Sequence, residues 1–151
     1  MSKRLPPFNR PSEARSRNMR AIQSTANAST EKRLASFLMR RRLRGWKVRP
    51  KKLPGTPDIV FPGERVAVFV DGCFFHGHPN CGHVPKTNTE YWRAKILGNR
   101  KRDVRVSRKL RSMGYAVIRI WECRLRRRPA ECLNRVLRVL MALSALPNSR
   151  G

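Results

Sequence analysis

An unbroken apolar run, Val66-Ala67-Val68-Phe69-Val70, leads directly into Asp71-Gly72-Cys73-Phe74-Phe75-His76-Gly77-His78-Pro79-Asn80-Cys81-Gly82-His83. The first part predicts a β-strand covered on both faces, because a half-exposed strand alternates apolar and polar residues. The second part is broken repeatedly by glycine and proline, so its shape must be fixed by something other than secondary structure. Thiolates and imidazoles are the ligands a structural zinc ion takes in tetrahedral fours. Cys73, His78 and Cys81 supply three of them within nine residues. For the fourth we choose Cys123, which closes the run Val117-Ile118-Arg119-Ile120-Trp121-Glu122-Cys123. That run predicts a strand whose end meets the end of Val66 to Val70 if the two are neighbours. A Cys73–Cys81 disulfide, or two ordinary buried thiols, is the alternative reading.

Charge decides the class of partner. Lys+Arg number 35 against 9 for Asp+Glu, a formal net charge of +26. Self-repulsion on that scale weakens a compact state unless a polyanion shares the field, so nucleic acid is the expected partner. The attraction is non-specific, and ribosomal proteins, repressors and nucleases all display it. A chain of 151 residues fits one domain and can bury a core without disulfide staples. No apolar run approaches the ~18 residues of a membrane span, and the N-terminus lacks an apolar signal core. Four cysteines in such a chain suit a reduced cytoplasm.

Residues 1–14 read as a basic arm with Pro6, Pro7 and Pro11, residues 15–146 as the folded domain, and 147–151 as a tail. Arg15 to Ile22, with Met19 inside it, predicts a short helix able to touch DNA. A second helix is expected from Glu31, capped by Ser29 or Thr30, with Leu34, Phe37 and Leu38 on one face and Gly45 at its end. Glu31 is either a first-turn acid suited to the helix dipole or part of an active site. Pro54-Gly55-Thr56-Pro57 then leads rigidly into the short strand Asp58-Ile59-Val60-Phe61. Asp58 is conspicuous in a chain so poor in acids. A hard oxygen among phosphate-binding residues suits Mg2+, although an acid before a strand is also a common turn residue.

Thr87 and Glu90 have capping-box spacing, predicting a helix from there to Met113 with Gly114 as its stop. Trp92, Lys95 and Asn99 share one side of it, where they could meet base edges, with a core position for Trp92 as the alternative. Tyr115 to Trp121 is the next strand, and a helical crossover makes it parallel to Val66–Val70. Pro129 suits a first helical position, Leu133, Val136, Leu137, Leu140 and Leu143 form an apolar stripe, and Cys132 beside them reads as a core thiol.

Taken together, Pro57-Asp58, the run from Phe69 to His76, Pro85-Lys86-Thr87-Asn88 with Tyr91-Trp92, Lys95-Ile96, Asn99 with Arg102-Asp103, and Trp121-Glu122-Cys123 resemble the very short patch repair (Vsr) DNA mismatch endonucleases. The resemblance covers about residues 12 to 128. It implies a restriction-endonuclease-like α/β fold, with a central mixed β-sheet flanked by helices and a structural zinc site. It implies an Mg2+-dependent endonuclease that nicks one strand 5′ to the thymine of a T:G mismatch left by deamination of 5-methylcytosine, initiating very short patch repair.

By position, the resemblance makes Asp58 the Mg2+ ligand, with Val70 contributing only its backbone carbonyl. His76 becomes the residue that activates the attacking water, with Glu31 and Asp71 at the same site. Cys73, His78, Cys81 and Cys123 match the Zn2+ set. Phe74, Phe75 and Trp92 fall where aromatics enter the duplex beside the mismatch, Met19 approaches from the opposite groove, and Lys95 and Asn99 fall where the mispaired bases are contacted. A mispair is already poorly stacked, so wedging it open costs less than wedging a normal step. The implied partner is double-stranded DNA with a T:G mismatch, with mismatch-repair proteins as a further expectation. The chain is expected to act as a monomer in the cytoplasm, at the nucleoid.

This sequence departs from the family pattern in four places. The strand after Asp58 offers Val68 and Val70 in place of an acid-x-Lys element, Val70 replaces a threonine, Asp71 stands where some members have histidine, and Phe75 replaces a tryptophan. A zinc-stabilised DNA-binding module without catalysis is the alternative, but it gives no reason for Asp58 and His76 to occur together.

Overall fold

The long apolar run becomes the middle of a sheet, and the remaining elements arrange themselves to cover it. The structure is a computed structural model that describes residues 4–146, except the side chains of Met19 and of residues 22–28. In chain order it contains α1 (Glu13–Arg40), β1 (Lys47–Val48), β2 (Ile59–Phe61), β3 (Val66–Asp71), α2 (Thr89–Ser112), β4 (Ala116–Trp121), α3 (Glu122–Arg127) and α4 (Pro129–Ser144). The strands lie in the order β1-β2-β3-β4. β1 with β2 and β2 with β3 are antiparallel, whereas β3 with β4 is parallel, so this is an α/β fold on a mixed sheet. As expected, α2 makes the crossover. In the parallel pair Phe69 stands opposite Arg119 and Asp71 opposite Trp121.

The pleat sends alternate residues of β3 to two separate cores. Val66 and Val68 join Ile59, Phe61, Ile118 and Ile120 against Leu34 and Leu38 of α1, Leu125 of α3, and Leu133, Val136 and Leu140 of α4. Ala67 and Phe69 join Val60 against Leu110 of α2, with Val106 and Val117 alongside. Cys132 is a buried member of the first core. Leu110 is fully buried, so truncating it to alanine would cost ~2–5 kcal/mol and loosen the helix that carries Asp103 and Ser107.

Three local expectations are corrected. The two N-terminal helices are one, α1, capped by Ser12, whose side chain accepts from the Arg15 amide at 3.4 Å, so Ser29 and Thr30 lie inside it. No glycine or proline occurs between Glu13 and Arg40, so nothing in the backbone forces a break. The capping box is not formed either, because α2 begins at Thr89 after a left-handed Asn88 (φ 55°, ψ 39°). The Asn88 side chain is committed elsewhere: its Oδ1 accepts from the Asn9 amide and its Nδ2 donates to the Asn9 carbonyl, both at 3.2 Å. Finally, Cys123 sits in the first turn of α3 rather than ending β4. Among the described residues, no helix is long and apolar enough to cross a membrane.

Candidate active site and thiol cluster

Asp58 precedes β2 at the point where the antiparallel ladder with β3 runs out. Ile59 pairs with Val68, and the next β3 amide on that side, Val70 N–H, donates to Asp58 Oδ2 at 2.7 Å. The carboxylate thus takes over the ladder that Pro57 cannot continue. The approach to it is rigid, since Gly55 has φ +72° and a Cβ there would fall 2.4 Å from Val106, while Pro57 is buried. Burial pushes the Asp58 carboxyl up to about 6; the Val70 amide opposes this, Glu31 adds to it, Arg49 opposes it and Asp71 adds to it.

Glu31 bears electrostatically on Asp58 and is not the first-turn acid of a helix. It lies well inside α1, and its Oε1 is 3.2 Å from Arg49 Nη1. That contact is electrostatic only: Glu31 Oε1 is buried and receives no aligned hydrogen-bond donor. Two further acids, Glu31 and Asp71, thus bear electrostatically on Asp58, and Arg49 partly offsets them.

The second group lies on the α2 side of the same strand end. Asp71 is 7% exposed, and both its oxygens accept from Arg119, Oδ2 from Nε at 2.8 Å and Oδ1 from Nη2 at 2.7 Å. Asp103 of α2 meets Arg119 Nη2 at 3.0 Å through Oδ1 and His76 Nδ1 at 2.5 Å through Oδ2. His76 Nδ1 is also 3.9 Å from Asp71 Oδ1. An ionised Asp103 fixes the imidazole with its proton on Nδ1, leaving the Nε2 lone pair free. Asp71, His76 and Asp103 line one open cavity of about 240 Å³. Asp71 is the residue common to both groups, bearing on Asp58 electrostatically and lying close to His76.

Arg119 is not among the residues that the sequence pattern singles out, and its one signal there is an arginine amid Val117, Ile118 and Ile120. Partial burial works against its charge, yet Asp71 and Asp103 hold the guanidinium more basic than usual. Asp71, expected at the active site, has both carboxylate oxygens engaged by that guanidinium.

The expected thiols do meet. Sγ atoms of Cys73, Cys81 and Cys123 all lie within 4.8 Å of one another, and all three cysteines are free, which removes the disulfide alternative. Burial, then the neighbouring Cys81 and Cys123 thiols, push the Cys73 thiol up to about 12. His78 is not part of this trio: its Nδ1 accepts from the amides of Asn80 and Cys81, both at 3.2 Å, and its ring packs edge-on to Trp121 at 4.7 Å. It nevertheless lines a cavity together with Cys123. Backbone crosses closely here, because a Cβ on Gly82 would lie 2.4 Å from the Cys73 carbonyl oxygen.

The expected wedge residues form a half-buried aromatic ridge. Phe74 packs on Phe75 at 4.9 Å and on Trp92 at 5.0 Å between ring centroids. Phe8, from the arm and not anticipated, extends the ridge onto Tyr91 at 4.5 Å and Trp92 at 6.0 Å. Asn99, expected to face bases, donates from Nδ2 to the Phe75 carbonyl at 2.9 Å and so braces the loop. Lys95 lies one turn before it on α2, half-buried, and Met19 lies on α1 with its side chain outside what the structure describes.

The sequence profile of the family described as DNA mismatch endonuclease Vsr matches residues 10–82. A Type II nicking enzyme, V.XorIIP, of Xanthomonas oryzae pv. oryzae is 41% identical over 126 residues, which is 83% of this chain and 88% of that protein. The DNA mismatch endonuclease Vsr of Escherichia coli K12 is 45% identical over 116 residues, which is 76% of this chain and 72% of that protein.

Proposed function

The chain belongs to the Vsr family of DNA mismatch endonucleases, and from that premise we propose that it nicks one strand of a T:G-mismatched duplex, 5′ to the thymine, with the help of Mg2+. The observation that carries this reading is the meeting of two groups at one end of β3. Asp58, held by the Val70 amide, feels the charge of Asp71, and Asp71 in turn stands next to the imidazole whose Nδ1 is taken by Asp103.

The acids fit a hard divalent cation. A raised Asp58 carboxyl and a buried Glu31 oxygen without a donor are what a cluster built for a positive charge shows when protein atoms alone surround it. Asp58, with the Val70 carbonyl and Glu31 nearby, would hold the ion, whose charge when bound offsets the negative charge gathering on the scissile phosphate. His76 does the proton work. Its Nε2 lone pair accepts a proton from the attacking water as the new bond to phosphorus forms. The bond from phosphorus to the bridging oxygen breaks, and that oxygen leaves with the electron pair and is protonated by solvent.

The thiol trio fits a soft, tetrahedral ion. We assign it to Zn2+ with His78 as the fourth ligand, which requires the imidazole to move within reach of the three sulfurs. Such an ion would tie the loop carrying Phe74, Phe75 and His76 to the start of α3. Phe74, Phe75 and Trp92 supply the wedge and Lys95 contacts the mispair. With Asp58 just before β2, Asp71 at the end of β3 and helices on both faces, we read the sheet as restriction-endonuclease-like.

A nicking assay on a T:G duplex with Mg2+ tests the assignment. Wild type should cut one strand, while Asp58→Ala and His76→Ala should bind the mismatch with little change and lose at least ~10²-fold in rate. Mismatch binding by wild type without any nicking would leave a DNA-binding module and remove the hydrolytic reading.

A further inference from the structure

Arg119 contacts both carboxylates of the His76 pocket, Asp71 and Asp103. It lies in β4 on the α2 side of the sheet, with its Cζ stacked 4.5 Å above the Phe69 ring. Besides gripping Asp71 with two donors and Asp103 with a third contact, it donates from Nη1 to Ser107 Oγ at 3.2 Å. Asp103 and Ser107 are one helical turn apart on α2, so a single planar fork ties the end of β3 to the helix that carries the partner of His76. Asp103 in turn divides its two oxygens, Oδ1 toward Arg119 and Oδ2 toward His76.

We propose that Arg119 is the positioning residue of this site: its guanidinium keeps Asp71 and Asp103 apart, so that Asp103 alone orients His76 and Nε2 faces outward. The proposal rests on the hydrolytic reading of His76. Without the fork, two largely buried carboxylates would face each other across the His76 imidazole, with Arg100 the other basic group lining that cavity. The imidazole already stands 2.5 Å from one and 3.9 Å from the other. It would then be shared between them, and its outward aim lost. A lysine keeps the charge but cannot span two carboxylates in a plane, so the geometry needs arginine.

The test uses the full-length, zinc-loaded protein under single-turnover conditions, with binding to the same T:G duplex measured separately. Arg119→Leu should slow nicking by ~10–100-fold, the usual cost of losing the group behind a site residue, and leave duplex affinity within about 3-fold. Arg119→Lys should fall between it and wild type. Asp71→Asn combined with Arg119→Leu should regain about 10-fold over Arg119→Leu alone, because the competing carboxylate charge is gone. Asp103→Asn combined with Arg119→Leu should regain nothing. A second readout is independent of turnover: imidazole 15N shifts should report one tautomer for His76, Nδ1-protonated, in wild type and a mixture in Arg119→Leu.

A purely structural arginine would instead give rates that follow the melting temperature and no rescue by Asp71→Asn. Normal nicking by folded Arg119→Leu, or absence of that rescue, overturns the proposal. If Arg119→Leu does not fold, Arg119→Lys with and without Asp71→Asn carries the same comparison. A wild type that shows the single tautomer but never nicks would overturn the hydrolytic reading and leave the positioning role of Arg119 standing.

Discussion

Asp58 accepts the Val70 amide at 2.7 Å in place of the strand that would otherwise continue beside it. One hydrogen bond therefore closes the β2–β3 ladder and fixes an acid at the sheet edge, with its second oxygen still available. Because burial outweighs that hydrogen bond, the carboxyl sits near 6 and not at its ordinary 3.8.

Metal-free stability should depend on this group with a defined sign. Folding takes up a proton at Asp58 between pH 3.8 and about 6, so its contribution is most favourable below that window and is lost as pH rises through it. A shift of that size corresponds to at most ~3 kcal/mol, and less with solvent screening. Urea unfolding of wild type and Asp58→Asn should show the variant more stable by ~1–3 kcal/mol above pH 6 and the two converging near pH 4. A variant that is weaker at every pH would show that the Val70 hydrogen bond needs the carboxylate itself.

Cation affinity should run the opposite way. Protons compete with the ion for Asp58, so Mg2+ binding measured by calorimetry should fall by up to ~10-fold per pH unit below about 6 and level off above it. Glu31→Gln should weaken it at pH values above about 6, because a negative charge beside the ion is lost. Affinity that is flat from pH 5 to 7.5 would exclude Asp58 as the ligand.

The clustered thiols and the core thiol should separate cleanly. Cys73→Ser or Cys123→Ser should lower zinc content below one ion per chain and reduce stability by several kcal/mol, since a structural ion contributes folding energy directly. Cys132→Ser, in the apolar core, should cost ~1–3 kcal/mol with zinc content unchanged. Zinc loss on replacing Cys132 would contradict its core assignment.

Charge and wedge should respond differently to salt. If ~6–10 phosphates are neutralised, affinity for any duplex should drop ~10³–10⁵-fold between 50 and 200 mM salt. The ratio of mismatched to matched affinity should persist. Trp92→Ala, which removes the middle of the ridge, should reduce that ratio by ~1–3 kcal/mol with the salt slope intact. Equal loss of binding to both duplexes would show that the ridge does not read the lesion.

Local pattern alone marked β3 as buried on both faces, the leucine stripe of α4, and the chain positions of the three thiols, because side-chain periodicity and ligand type are written in order along the chain. The parallel neighbours followed from one crossover helix, and with them the meeting of Cys73 and Cys123. Tertiary structure alone decided which polar groups are already occupied. Arg119 and Asp71 lie 48 residues apart and meet through strand register, and Asn88 is taken by Asn9 across 79 residues. Asn99 is spent on the loop backbone. A hydrogen bond depends on distances of a few tenths of an ångström between groups that no periodicity relates, so the sequence named the acids, histidine and thiols of this site while the fold determined which of them remain free to act.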